Sequence, residues 1–282
     1  MSISIETFLT TYYMNKILFP TDFSEAAHKA FEYAIEIAKK ANSKLDVIHT
    51  YPEPHKGKEL YMDSAELRKA RKERQNEMQV KIDAFTKPYD SKYIGSKIIF
   101  PSDDSTDEVV ARSKRNYDLI IMGTKGERNA LDKIVGSFTT NTMMNAHCPV
   151  LAIPSDSTFK NINTITYSTS LNEDDKNFTK SLSEFTNIFQ ATIEHLHVME
   201  DSEEKVHDHL KAKGLSPDDS NIHLVKNDSV MDGVEDYLNN SKTDILALFI
   251  PKRSFIDKLF HRSVTKELTF HAALPLFVYR EK

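Results

Sequence analysis

The chain has 282 residues, a formal net charge of −5 and a single cysteine, Cys148. Mixed charges and a pI near 6.1 leave no basic face for nucleic acid; one thiol excludes an internal disulfide, and no run approaches the roughly twenty apolar residues of a membrane helix. Residues 1–13 lack the basic and apolar regions of a signal peptide, so the expectation is a soluble cytoplasmic protein without nucleic-acid or membrane partners, long enough for two domains of about 140 residues.

Residues 1–13, which close on Tyr12-Tyr13, read as an N-terminal extension before the first strand pattern. Strand and helix patterns then alternate: strand 15–20, helix 24–41, strand 45–50, helix 62–86, strand 96–100, helix 105–114, strand 118–122, helix 136–146 and strand 149–153. This alternation predicts an α/β fold around a parallel sheet. Ala30, Ala34, Ile37 and Ala38 recur at helical spacing and mark a core-facing stripe. Cys148 stands at the entry to an apolar strand and reads as a small buried hydrophobe.

The end of the fourth strand carries the chemistry. Pro20-Thr21-Asp22 follows the first strand, and Met122-Gly123-Thr124-Lys125-Gly126 closes the fourth, with Gly136-Ser137-Phe138-Thr139 opening the next helix. Glycine lets backbone amides approach a phosphate closely, and a helix N-terminus favours an anion, so Gly123, Gly126 and Gly136 with the hydroxyls of Ser137 and Thr139 suit a polyphosphate. The spacing matches neither a P-loop nor a dinucleotide fingerprint. Glu127, Arg128, Asp132, Lys125 and Lys133 crowd the loop between. Such a loop reads as exposed charge, and no dedicated residue for phosphoanhydride hydrolysis stands out.

After the linker-like stretch 155–161 the pattern repeats. Asp118-Leu119-Ile120-Ile121 realigns with Asp244-Ile245-Leu246-Ala247 (244 − 118 = 126), and Leu45 to His49 realigns with Ile193 to His197 (193 − 45 = 148). Phe178, Leu182, Phe185 and Phe189 supply the second opening stripe. At these offsets Gly123 becomes Phe249, Gly126 becomes Lys252 and Gly136 becomes Arg262, which predicts a fold kept and a phosphate site lost, and Asp22 becomes Ser170. Phe249 reads mainly as ordinary core packing, and Lys252, Arg253, Lys258 and Arg262 as a solvated basic loop. His195, His197, His207 and His209 lack the spacing and companions of a zinc site, and His197 answers to His49.

The spacing Gly-x2-Gly-x9-Gly-Ser at Gly123, Gly126, Gly136 and Ser137, with residues 16–25 as first strand and turn, resembles the ATP-binding motif of the universal stress protein family. The resemblance spans residues 14–280, by motif in the first half and mainly by topology in the second. It implies two tandem flavodoxin-like (adenine nucleotide alpha hydrolase-like) α/β domains, each a five-stranded parallel sheet with helices on both faces: 14–154 with the intact motif, and a degenerate 162–282 after the linker. Because members of that family commonly dimerise through their last strand, it implies that 149–153 and 275–279 pair within one chain as an intramolecular pseudo-dimer, with a further homodimer left open.

The family's nucleotide contacts carry over to Pro20, Thr21, Asp22, Thr50, Met122, Gly123, Gly126, Gly136, Ser137, Phe138 and Thr139. Asp22 then meets ribose or adenine, and Thr50 and Met122 line the adenine. Thr50 and Phe138 depart from the commoner aliphatic residues, and Pro101-Ser102 from a commoner glycine. The implied ligand is ATP, ADP or AMP, with Mg²⁺ arriving on the phosphates. The implied function is a cytoplasmic stress-response regulator read by an unidentified protein partner, with a slow ATPase or a nucleotide-free scaffold as the alternatives.

Overall fold

A computed structural model describes residues 14–53, 63–115, 117–124, 135–169, 171, 175–199, 207–208, 210–211, 214, 216, 219–251 and 274–282. Its elements are β1 (Lys16–Pro20), α1 (Glu25–Ala41), β2 (Lys44–Tyr51), α2 (Ser64–Thr86), β3 (Ile94–Pro101), α3 (Ser105–Ser113), β4 (Leu119–Gly123), α4 (Ser137–Asn145) and β5 (Val150–Ile153). The second half continues with β6 (Thr164–Ser168), α5 (Lys176–Phe189), β7 (Thr192–Met199), β8 (Ile222–Lys226), α6 (Val230–Asn240), β9 (Ile245–Ile250) and β10 (Leu276–Arg280).

Local chemistry explains the boundaries. The Ser24 hydroxyl accepts from Ala27 N–H at the start of α1, and the helix ends where Asn42 turns left-handed at φ 49°. The strongly charged α2 starts at a capping box, Asp63 with Glu66, and buries only Met78, Ile82, Phe85 and Thr86. Pro149 and Pro275 stand just outside β5 and β10 and still serve the ladder as acceptors, from Ile120 N–H and Leu246 N–H at 3.0 Å each.

The strands form one sheet in the order β3-β2-β1-β4-β5-β10-β9-β6-β7-β8. Every neighbour is parallel except β5 and β10, which run antiparallel with Phe277 opposite Leu151. Central strands covered on both faces read as unbroken apolar runs, and Ile17, Leu18, Phe19, Leu119, Ile120 and Ile121 are all fully buried. On one face α1, α2 and α5 contribute Phe31, Phe85, Phe178 and Phe185; on the other α3, α4 and α6 contribute Val109, Met143 and Val234.

The two halves agree residue by residue at the offsets of 148 and 126. Ile17 pairs with Leu119, as Ile165 does with Ile245. The Asp118 carboxylate accepts from Asn15 and Lys16 N–H, as Asp244 does from Asn163 and Thr164 N–H. Left-handed Phe23 and Asn42 return as left-handed Leu171 and Gln190. Across the junction, Phe159 packs on Tyr33 at 4.9 Å and on Phe189 at 6.5 Å between ring centres.

One irregularity sits between β2 and β3, where the register slips between Leu45 and Val47. Buried Asp46 causes it: its carboxylate accepts from Ser96 N–H (2.7 Å) and Tyr117 O–H (2.8 Å) and pairs with Lys16 at 3.0 Å. That insertion into the neighbouring backbone leaves no room beside Gly95, where a Cβ would stand 2.1 Å from Asp46 Oδ1.

Candidate functional site

The turn after β1 is built from its own side chains. Thr21 N–H continues the ladder to the Ile48 carbonyl (2.9 Å), and the Thr21 hydroxyl accepts from Phe23 N–H (3.0 Å). Asp22 is exposed, and its Oδ1 accepts from Ser24 N–H at 3.0 Å, an Asx turn that orients the carboxylate. Buried Pro20 opposes Ile48 in the sheet. Thr50, at the end of β2, donates its hydroxyl to Ser105 at 2.5 Å, tying β2 to the start of α3.

The second wall is the end of β4 with the start of α4. Met122 is buried among Ile48, Val109, Ala152 and their neighbours, and Gly123 follows opposite Ile153. Gly136 N–H donates to the Thr124 carbonyl (2.7 Å), and the Thr139 hydroxyl donates to the Gly123 carbonyl (2.9 Å), so α4 is bolted to the strand end at two points. Phe138 is half-buried and packs on the core of the same face, while Ser137 is exposed. Thr124 Oγ1 is buried with no partner among the described residues.

The start of α4 is unlike the other helix starts of its half. Side chains cap α1, α2 and α3, through Ser24, Asp63 and Asp104, and each first turn carries an acid. At α4 the capping residue is Gly136, no side chain caps it, and its first turn holds no acid. The helix dipole and first-turn amides are therefore met by no carboxylate from their own turn, which suits an anionic ligand. Gly126 and the charges Lys125, Glu127, Arg128, Asp132 and Lys133 lie outside the described residues.

The corresponding strand end of the second half carries an aromatic side chain. Phe249 replaces Gly123, opposes Tyr279 and stacks 5.7 Å from Phe178 and 6.4 Å from Tyr279, so its ring belongs to the core beside α5. Ser170, Lys252, Arg253, Lys258, Arg262 and His209 lie outside the described residues. The His197 Nδ1 contacts the Thr169 carbonyl at 2.8 Å, the equivalent of His49 on Thr21. The sequence repeat aligns these two histidines without assigning either to a site, and it carries no signal for Ser105, whose hydroxyl partner is distant in sequence.

A cavity of about 320 Å³ lies elsewhere, among Tyr117, Asp118, His147, Cys148, Ser181 and Tyr279. Tyr117, Asp118 and His147 precede β4 and β5, so it opens at the end of these strands opposite Thr21 and Gly123. Burial there pushes the Cys148 thiol up to about 12. At the offset of 148, Ser181 stands where the first half has the bulky, buried Tyr33.

Residues 14–154 match the model of the universal stress protein family. One universal stress protein of Methanocaldococcus jannaschii is 28% identical over 139 residues, covering 49% of this chain and 81% of that protein. A second from the same organism is 29% identical over 151 residues, covering 49% and 93%. The fold extends over both halves: a universal stress protein from Archaeoglobus fulgidus superposes with a TM-score of 0.66 at 16% identity, covering 96% of this chain and 97% of that one. A Pseudomonas aeruginosa protein of unknown function gives 0.59 at 13% identity, covering 96% and 94%.

Proposed function

The chain belongs to the universal stress protein family, and from that premise we propose that it is a cytoplasmic regulatory protein that binds one adenine nucleotide, ATP or its di- or monophosphate, in its first half. Asp22 meets the ribose or adenine. Pro20, Thr21, Thr50 and Met122 line the nucleoside, and Gly123, Gly126, Gly136 and Ser137 face the phosphates, with Phe138 and Thr139 behind them. Mg²⁺ would come with the phosphates, which supply the oxygens it prefers. The observation that carries the reading is the uncapped, acid-free start of α4 held against the end of β4 by Gly136 and Thr139.

The second half, 162–282 after the linker 155–161, serves as a degenerate partner. Antiparallel pairing of β5 with β10 supports its reading as an intramolecular pseudo-dimer. Stacked Phe249 supports the absence of a glycine loop there. A protein partner reads the nucleotide state, and binding rather than turnover is the primary activity. Among the described residues no helix is long and apolar enough to cross a membrane. Calorimetric titration with Mg-ATP, ADP and AMP tests the proposal: saturable binding at about one site per chain is expected, and the absence of heat with all three sinks it in favour of a nucleotide-free scaffold.

A further inference from the structure

His49 holds the turn that carries Asp22. Its Nδ1 lies 2.8 Å from the Thr21 carbonyl, and because a carbonyl can only accept, Nδ1 bears the proton and donates. One residue past Asp22, Phe23 sits at φ 64°, a left-handed conformation that a bulky side chain adopts only when its surroundings impose it. Thr21 supplies part of that constraint through its hydroxyl, and the Phe23 ring covers the imidazole at 4.2 Å between ring centres.

The second half separates the essential part of this device from the incidental part. There the His197 Nδ1 contacts the Thr169 carbonyl at the same 2.8 Å, and the Thr169 hydroxyl accepts from Leu171 N–H at 3.1 Å. Leu171 is left-handed at φ 65°. The aromatic ring over the histidine is gone, since leucine replaces Phe23. What both halves share is a histidine donor, a threonine carbonyl, a threonine hydroxyl that accepts from the N–H two positions on, and a left-handed residue there. These two hydrogen bonds, rather than the ring contact, are the constant elements of the turn.

We propose that His49 is the positioning residue for the nucleoside end of the site, fixing the Thr21 carbonyl so that the turn presents the Asp22 carboxylate to the ligand. This rests on the reading that Asp22 contacts the nucleoside. His49 itself touches no ligand; it acts through the backbone of residues 21–23. Losing its donor therefore weakens recognition of the nucleoside and leaves recognition of the phosphates alone.

The test measures ATP, adenosine and inorganic tripolyphosphate affinities on the full chain for wild type, His49→Phe, His49→Asn, Asp22→Ala and the Asp22→Ala/His49→Phe double variant. Phenylalanine keeps the ring and deletes the donor; asparagine restores a donor at the δ position. His49→Phe is expected to weaken ATP and adenosine about tenfold, the worth of one well-placed hydrogen bond, with tripolyphosphate unchanged and His49→Asn recovering most of the loss. In the Asp22→Ala background His49→Phe should cost nothing further, because both act on one contact.

If Asp22→Ala binds ATP as wild type does, the reading of the site fails. If Asp22→Ala weakens ATP while His49→Phe does not, or if the two losses add, the positioning role is overturned. Equal weakening of tripolyphosphate and ATP, or no rescue by asparagine, assigns His49 a purely structural part and overturns it as well.

Discussion

Ser137 and Thr139 separate binding from framework within one turn of helix. Both supply hydroxyls at the start of α4, yet Ser137 is exposed whereas Thr139 is buried and donates to the Gly123 carbonyl at 2.9 Å. Replacing Thr139 by the isosteric valine removes one buried hydrogen bond and leaves that carbonyl without this donor. Such a loss costs about 1–1.5 kcal/mol, which for a chain of this size lowers Tm by roughly 3 °C. Ser137→Ala leaves Tm within about 1 °C, because an exposed hydroxyl carries little stability, but weakens ATP about three- to tenfold if the hydroxyl meets a phosphate. Thermal unfolding followed by circular dichroism, with a calorimetric ATP titration of each variant, reads both quantities. A stable Thr139→Val, or a Ser137→Ala that loses stability and keeps full affinity, would refute this division of labour.

Gly95→Ala drives a methyl into Asp46 Oδ1 and breaks its bond to Ser96 N–H; urea unfolding should show a loss of about 2–4 kcal/mol, and a loss under 1 kcal/mol would contradict the origin given for the register slip. Burial holds the His49 imidazole below its ordinary value near 6.5 against the raising effects of the Thr21 carbonyl and Asp22, with Lys81 and Arg74 lowering it further; burial, then Lys114 and Lys282, lowers His147. A histidine lowered in the folded state binds fewer protons there than when unfolded, so its stabilisation is full above its ordinary value and is lost as pH falls through the folded one. Tm should accordingly be lower at about pH 5.5 than at about pH 7.5, by less in His49→Phe; an equal drop in the variant removes His49 from the account. Cys148, buried with its thiol pushed up to about 12, should react with iodoacetamide in the native chain far more slowly than in the unfolded one, and equal rates would place it at the surface.

How much of this was legible in sequence depends on how local each cause is. β1 and β4 announce themselves as apolar runs because they are covered on both faces, and α1 through its alanine and isoleucine stripe with Ser24 before it. The slip at Gly95 was hidden because its cause, Asp46, lies on another strand and acts through a backbone amide. The same holds inside the site. The Thr139 hydroxyl is legible in the sequence, but its partner lies sixteen residues back in the chain, and only the fold reveals that the hydroxyl serves the framework. His49 was visible only as a repeated letter, because the bond it makes to Thr21 crosses between strands. Phe249, by contrast, follows from the offset alone, and its stacking on Phe178 fits the core packing expected of it.

The central claim is that the first half carries the nucleotide site at the start of α4. Denaturing the freshly purified protein and separating the released small molecules by anion exchange with mass detection tests it most directly, with wild type and Gly136→Val side by side. Valine at Gly136 sets a branched side chain where the helix start approaches the Thr124 carbonyl. The account predicts close to one adenine nucleotide per wild-type chain and essentially none from the folded variant. A wild-type chain that releases no nucleotide and gains none on incubation with Mg-ATP, or a variant that retains it in full, would contradict the claim.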